Sequence, residues 1–285
     1  FSCILFIQGT SYGQKILNFD NQELLSFQQS LIDDEITGSN VALIYSKGKK
    51  VYHEVVQSNK KGDKDIDEKT IFPIWSMTKP ITIVAMLKLH EQGKFDWEDP
   101  VSNYIPSFKN LNYKDVTEIK KCEHELKIIH LMTHRSGFKY YNWVEEYPNG
   151  GTYGYWTKFN DLKSFVDTVS QYPLEFEPGT QYLYGINQAI LGRLVEVLSG
   201  QNFEQFLKSN IFNPLGMNDT GFSLNEEQRK RFQPLWINSN ELKGFTYQLD
   251  EHTYNTENKA HFGGCLLYTS PSPRDRTRSR MPSSA

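Results

Sequence analysis

Ser76-Met77-Thr78-Lys79 places a hydroxyl three residues ahead of an ammonium. On a helix that separation is one turn along a single face, so the amine can relay the proton that the hydroxyl must lose to become a nucleophile. The pattern recurs at Ser46/Lys49 and Ser58/Lys61, both in polar, turn-like stretches, so spacing alone does not single it out. Ser76 differs in its surroundings. An apolar approach, Ile71-Phe72-Pro73-Ile74-Trp75, leads to it, and a densely apolar helix comes next, whose first amides are free to hold a developing oxyanion. A serine that merely caps the helix fits the same position, and both roles stay open on this pattern. Tyr184, in Pro178-Gly179-Thr180-Gln181-Tyr182-Leu183-Tyr184-Gly185-Ile186-Asn187, is the second candidate. A phenol near a lysine ammonium has its pKa lowered, because the positive charge favours phenolate, and can then act as a base on a serine. The chain has 16 tyrosines, so a buried, hydrogen-bonded phenol is the alternative. His134 is a third possible base, since histidine titrates near neutrality.

The elements that must hold these groups can be read from periodicity. Residues 22–32 carry helical spacing of Leu24, Leu25, Phe27 and Leu31. Two apolar-rich runs, 41–45 and 50–56, flank Ser46-Lys47-Gly48-Lys49 and read as a β-hairpin. From 81 to 89 the apolar positions are too dense for a surface helix, predicting a largely buried one with Gly93 as its C′ residue. Apolar spacing returns at 126–132 and 162–169, and 189–198 reads as a helix closed by Gly200. Strands at the front and helices through the middle predict an α+β arrangement, with more strands expected later.

Four blocks then stand in the order and spacing of a known family. They are Ser76-x-x-Lys79; Leu131-Met132-Thr133-His134-Arg135-Ser136-Gly137-Phe138; Pro178-Gly179-Thr180 through Tyr184 to Leu191-Gly192-Arg193-Leu194-Val195-Glu196 and Ser199-Gly200; and Pro214-Leu215-Gly216-Met217-Asn218-Asp219-Thr220-Gly221-Phe222. Over roughly residues 20–264 the chain resembles the β-lactamase-related serine hydrolases, which include class C β-lactamases, D-Ala-D-Ala carboxypeptidases and family VIII carboxylesterases. The resemblance implies Ser76 as the acylated nucleophile, Lys79 as its proton partner and Tyr184 as the base that also protonates the leaving group. It implies an antiparallel sheet flanked by helices with an all-helical insertion, no metal and no organic cofactor, and it makes the His134 block scaffold. A non-catalytic relative that binds cell-wall peptides or another protein is a further possibility, opposed by the intact Ser76, Lys79 and Tyr184.

Two departures from the family matter. Its β-lactamases and peptidases usually carry Tyr-x-Asn, whereas Gly185 and Ile186 come after Tyr184, and Asn187 is one place late. At a helix start that shift turns a side chain by about 100°, so Asn187 is not expected to replace the amide, which favours a carboxylic ester over a peptide-like substrate. The family's third box, Lys-Thr-Gly or an equivalent, has no counterpart. His261-Phe262-Gly263-Gly264 matches better the Gly-Gly segment before a later helix. The sequence therefore reads as a domain cut short, with later sheet strands and one oxyanion donor missing, and such a chain is expected to be inactive.

The two ends read differently from the body. Phe1-Ser2-Cys3-Ile4-Leu5-Phe6-Ile7 resembles the end of a secretory signal, with residues 1–14 as its remnant and export to a periplasm or beyond implied, although an ordinary buried strand also fits. The domain is assigned to residues 15–264. Up to Gly264 there are 23 Lys and 4 Arg, whereas residues 265–285 hold 4 Arg and no Lys. That tail resembles an in-frame translation of a sequencing adaptor and is expected to lie outside the fold, a disordered Ser/Pro/Arg tail being the alternative. Composition agrees with a globular body. The 285 residues are 38% hydrophobic and 14% aromatic with net charge −3, which offers no basic stripe for nucleic acid and no run long enough to span a membrane. A small ester or acyl-peptide is the partner expected.

Overall fold

The computed structural model describes residues 21–140, 159–238, 243–245, 254, 260–264 and 267–270. Helix α1 (Asn21–Asp33) precedes a hairpin of β1 (Asn40–Ser46) and β2 (Lys49–Val56). Lys47 and Gly48 take φ of 50° and 73°, the left-handed pair that a two-residue turn between twisted strands requires. Helix α1 docks on the hairpin partly through polar groups. Gln28 donates to Asn40 Oδ1 at 2.8 Å and accepts from the Tyr52 hydroxyl at 2.7 Å.

The short strand β3 (Phe72–Pro73) and a 3₁₀ turn, Trp75–Met77, lead into α2 (Thr78–Glu91). The predicted stop is a Schellman closure. Gly93, at φ 67°, donates to His90 O at 2.8 Å, and the Lys94 amide donates to Leu89 O at 3.1 Å. The helix is less enclosed than its composition predicts. Ala85, Met86 and Leu89 are buried, while Val84 and Leu87 lie on an exposed face.

The small hairpin of β4 (Asn112–Asp115) and β5 (Glu118–Lys121) comes next, then α3 (Ile128–Met132) and α4 (Leu162–Val169). Helix α5 (Asn187–Ser199) is the centre of the molecule. Asn187 to Gly192, Leu194 and Val195 are all buried, and it packs against α2, α3, α4 and α6 (Phe203–Leu207). Gly200, at φ 71°, ends it as the sequence predicts. The chain continues through a π-turn at Lys208–Phe212, α7 (Asn213–Leu215) and α8 (Glu226–Lys230) to β6 (Trp236–Asn238), β7 (Lys243–Phe245) and β8 (Tyr268–Thr269). The α+β class holds. Among the described residues the strands form four two-stranded antiparallel pairs, β1–β2, β3–β8, β4–β5 and β6–β7, and no wider sheet.

Residue usage sets the stretch from Cys265 apart, and the described part of it, Leu267–Ser270, lies against β3 and α2. Leu267 and Tyr268 are buried, and β8 pairs with β3 through Phe72 and Pro73. The Ile74 amide donates to Leu267 O at 2.9 Å, and the Leu267 amide donates to Thr78 Oγ1 at 3.1 Å. An apolar residue next to an aromatic one fills the space beside α2, and their backbone supplies the partners that β3 needs.

The main core is aromatic where α4 meets α5 and the Gly-Gly segment. Phe165, fully buried, meets Phe159 and Phe262 edge-on at centroid distances of 5.3 and 4.8 Å. Phe165→Ala is expected to cost about 3–5 kcal/mol in urea unfolding, the range for truncating a buried aromatic. A loss below about 1 kcal/mol would contradict this packing.

Candidate active site

Ser76 lies in the 3₁₀ turn, one step before α2, and is exposed, while Lys79 in the first turn of α2 is only 8% exposed. Trp75, immediately before the serine, has φ 41°, an unfavourable value for a bulky residue, and this bend presents Ser76 at the helix entrance. The amides of Met77 and Thr78 are engaged with carbonyls at Ile74 and at Trp75 and Ser76, and Pro80 has no amide. Fewer first-turn donors are therefore open than the sequence suggested.

The lysine organises the site. Its Nζ donates to Ser76 Oγ at 3.1 Å and to the Gly264 carbonyl at 2.7 Å, and its charge acts on the Tyr184 phenol beside it. Among the described residues no carboxylate pairs with it. The Tyr184 ring lies 5.0 Å below Nζ and the Tyr140 ring 6.0 Å. The three sequence candidates Ser76, Lys79 and Tyr184 are thus in one cluster.

Burial works to raise the Tyr184 pKa. Hydrogen bonds from Lys79 and Ser76, the Lys79 charge and a hydrogen bond from Tyr140 outweigh it, and the phenol lies below its ordinary value. Tyr184 stays 44% exposed, which leaves its hydroxyl side open to a substrate.

Local pairing explains how a tyrosine more than a hundred residues away arrives here. Gly179 donates to Arg135 O at 2.7 Å and Leu183 to His134 O at 2.9 Å, so residues 178–184 run alongside the turn after α3. Gly137, at φ 88°, has no room for a Cβ, which would come within 2.6 Å of Phe176 O. His134 stacks on Tyr184 with centroids 4.7 Å apart. Asn187 is fully buried and bonded to Ser136 and His134, away from the cleft, in line with its displaced position in the sequence.

Two contributors had no clear sequence signal. The Gly264 carbonyl is a backbone group 185 residues from Lys79. Gly263 brings it there: its own carbonyl accepts from Thr82 Oγ1 at 2.6 Å, and a Cβ on Gly263 would meet Gln188 O at 2.6 Å. Tyr140 stands at the start of the aromatic stretch 140–155, which the sequence leaves between a cleft wall and plain packing. Residues 141–158 lie outside the described residues.

An exposed alcohol on a helix entrance, a buried ammonium and a phenol of lowered pKa are thus gathered at one end of α2. The Beta-lactamase family model matches residues 29–263, and the chain belongs to that family. A putative D-alanyl-D-alanine carboxypeptidase of Salmonella typhimurium is 32% identical over 180 residues, which are 62% of this chain and 39% of the relative. The chain thus spans well under half the length of the curated relatives it matches. Among solved structures, EstCE1, a hydrolase with promiscuous acyltransferase activity, aligns with TM-score 0.70 at 20% identity over 87% of this chain and 68% of that one. The penicillin-binding protein homologue of Pyrococcus abyssi gives TM-score 0.67 at 23% identity over 88% and 54%. The β-lactamase/D-alanine carboxypeptidase of Yersinia pestis gives 0.61 at 19% identity over 88% and 65%. These likenesses show the β-lactamase/transpeptidase fold.

The Tyr184 phenol should titrate below its ordinary value, and Lys79→Met should raise it, because the variant loses the adjacent charge. At a given pH less phenolate then exists, so any step that needs it rises only at higher pH. Tyrosinate absorbance, taken as the difference from a Tyr184→Phe variant, reads this directly. An unchanged titration would contradict the assigned coupling.

Proposed function

We propose that this protein is a serine hydrolase that cleaves carboxylic esters or related acyl substrates through an acyl-enzyme on Ser76. The observation that carries the reading is the cluster in which Lys79 donates to Ser76 while its ammonium lies 5.0 Å over the Tyr184 ring. Tyr184 as phenolate takes the Ser76 proton while Oγ attacks the acyl carbonyl. The tetrahedral intermediate collapses, and Tyr184 returns the proton to the departing alcohol. A water molecule, deprotonated by the same phenolate, attacks the acyl-serine, frees the acid and restores the hydroxyl. Lys79 holds the phenolate form throughout by charge and hydrogen bonding. Export to the periplasm or beyond belongs to the same proposal.

Ester preference rests on the three residues C-terminal to the tyrosine. Gly185 and Ile186 offer no side-chain amide to a peptide-like substrate, and Asn187 is committed to Ser136 and His134. The second reading, a D-Ala-D-Ala carboxypeptidase or β-lactamase, draws on the Salmonella relative, which carries the former name.

A fluorophosphonate probe is expected to label the full-length gene product at Ser76, with labelling abolished in Ser76→Ala. Tyr184→Phe should slow acylation about 10²–10⁴-fold, the usual contribution of a positioned base. Persistent labelling of Ser76→Ala would contradict the assignment. Turnover of p-nitrophenyl esters without a stable penicillin adduct supports the ester reading, and a long-lived penicillin adduct with esters untouched selects the other.

A further inference from the structure

His134 is placed as no scaffold residue needs to be. It holds a left-handed backbone at φ 56°, a conformation uncommon outside glycine but one that histidine, like asparagine and aspartate, adopts more readily than most. That bend turns its ring under Tyr184, nearly parallel to it, with an interplanar angle of 26° and centroids 4.7 Å apart. Tyr182 meets the ring edge-on at 6.0 Å.

Both ring nitrogens are engaged. Nδ1 faces the Asn187 amide nitrogen at 2.9 Å and the Gly185 backbone N–H at 3.4 Å. The backbone amide can only donate, so Nδ1 accepts, and the ring proton sits on Nε2. Nε2 lies 3.0 Å from the Gln188 amide nitrogen, while Gln188 Oε1 is buried without a partner. Turning that amide by half a rotation resolves the contact with the ring, since Oε1 then accepts from Nε2–H. The ring is neutral and fixed from both sides.

We infer that His134 is a positioning residue, a neutral ring clamped by Gly185, Asn187 and Gln188 that holds the Tyr184 phenol against Lys79 and Ser76. The inference rests on the acyl-enzyme reading for its catalytic consequence but not for its geometry. Among the described residues, the titratable groups facing the ring are Lys79 from α2 and Tyr182 and Tyr184 from the segment before α5. The neighbouring Arg135 turns away to the Gly179 carbonyl, and α5 offers the uncharged amides of Asn187 and Gln188. Burial and the Lys79 charge both lower the His134 pKa, which keeps the clamp in its neutral form. A charged ring would place a donor on Nδ1 against the Gly185 N–H.

The test is the Tyr184 titration in the full-length gene product, read without substrate. His134→Asn tolerates the left-handed backbone and removes the stacking ring. It should raise the Tyr184 pKa by about one unit, the lower end of what a neighbouring opposite charge supplies. His134→Phe keeps a ring but has no nitrogen for Gly185, Asn187 and Gln188 to hold, so it should move the titration upward as His134→Asn does. On esters, His134→Asn should lower kcat about tenfold or more with KM within about twofold, and should add little in a Tyr184→Phe background, because residues acting through one group are not additive. A His134→Asn variant with a lower unfolding midpoint but an unmoved Tyr184 titration overturns the inference. So does a folded His134→Phe whose phenol titrates as in the unmodified protein. Absence of Ser76 labelling in the unmodified protein would instead overturn the acyl-enzyme reading and leave the titration to decide His134.

Discussion

A lysine ammonium held almost entirely out of water, with no carboxylate beside it among the described residues, is the constraint on which the site depends. An unpaired buried charge is costly, so the surroundings must supply acceptors or a counter-charge. Ser76 Oγ and the Gly264 carbonyl supply two acceptors. The Tyr184 phenol beside it can supply the negative charge by ionising. The same electrostatic demand therefore keeps Lys79 folded inward and makes Tyr184 a stronger acid. A carboxylate at this point would have satisfied the lysine and left the phenol neutral.

The scaffold answers that demand. Helix α2 sets Ser76 and Lys79 one turn apart, and α5 carries the buried amides that fix the histidine beneath Tyr184. The Gly263-Gly264 segment approaches α2 closely enough to deliver a carbonyl, which only residues without a Cβ allow at Gly263. None of these supports is near another in the chain. The backbone pairing of residues 178–184 with the turn after α3 brings the last of them into place.

Much of this was legible in the sequence, and the reasons differ by element. The hairpin, α2, α4 and α5 declare themselves by apolar period, and α2 and α5 also by the glycines that end them, because burial and backbone conformation act locally. Ser76 and Lys79 are legible because their separation matches one helical turn. Tyr184 could be singled out among 16 tyrosines only through the surrounding family blocks. The Gly264 carbonyl was not legible, since a backbone acceptor leaves no mark in residue type. His134 looked like scaffold because its function lies in its orientation, which a left-handed turn sets. The packing of Leu267 and Tyr268 is not legible from the switch between lysine and arginine usage, which says nothing about which residues can fill a core.

The most direct measurement is a crystal structure of the full-length gene product phosphonylated on Ser76. The account predicts density on Ser76 Oγ, with Lys79 Nζ within about 3 Å of the Gly264 carbonyl and of the Tyr184 oxygen, the distance at which proton transfer is possible. An adduct on another residue contradicts it, as does a Tyr184 oxygen beyond hydrogen-bonding reach of both Lys79 and the modified serine with no bridging water.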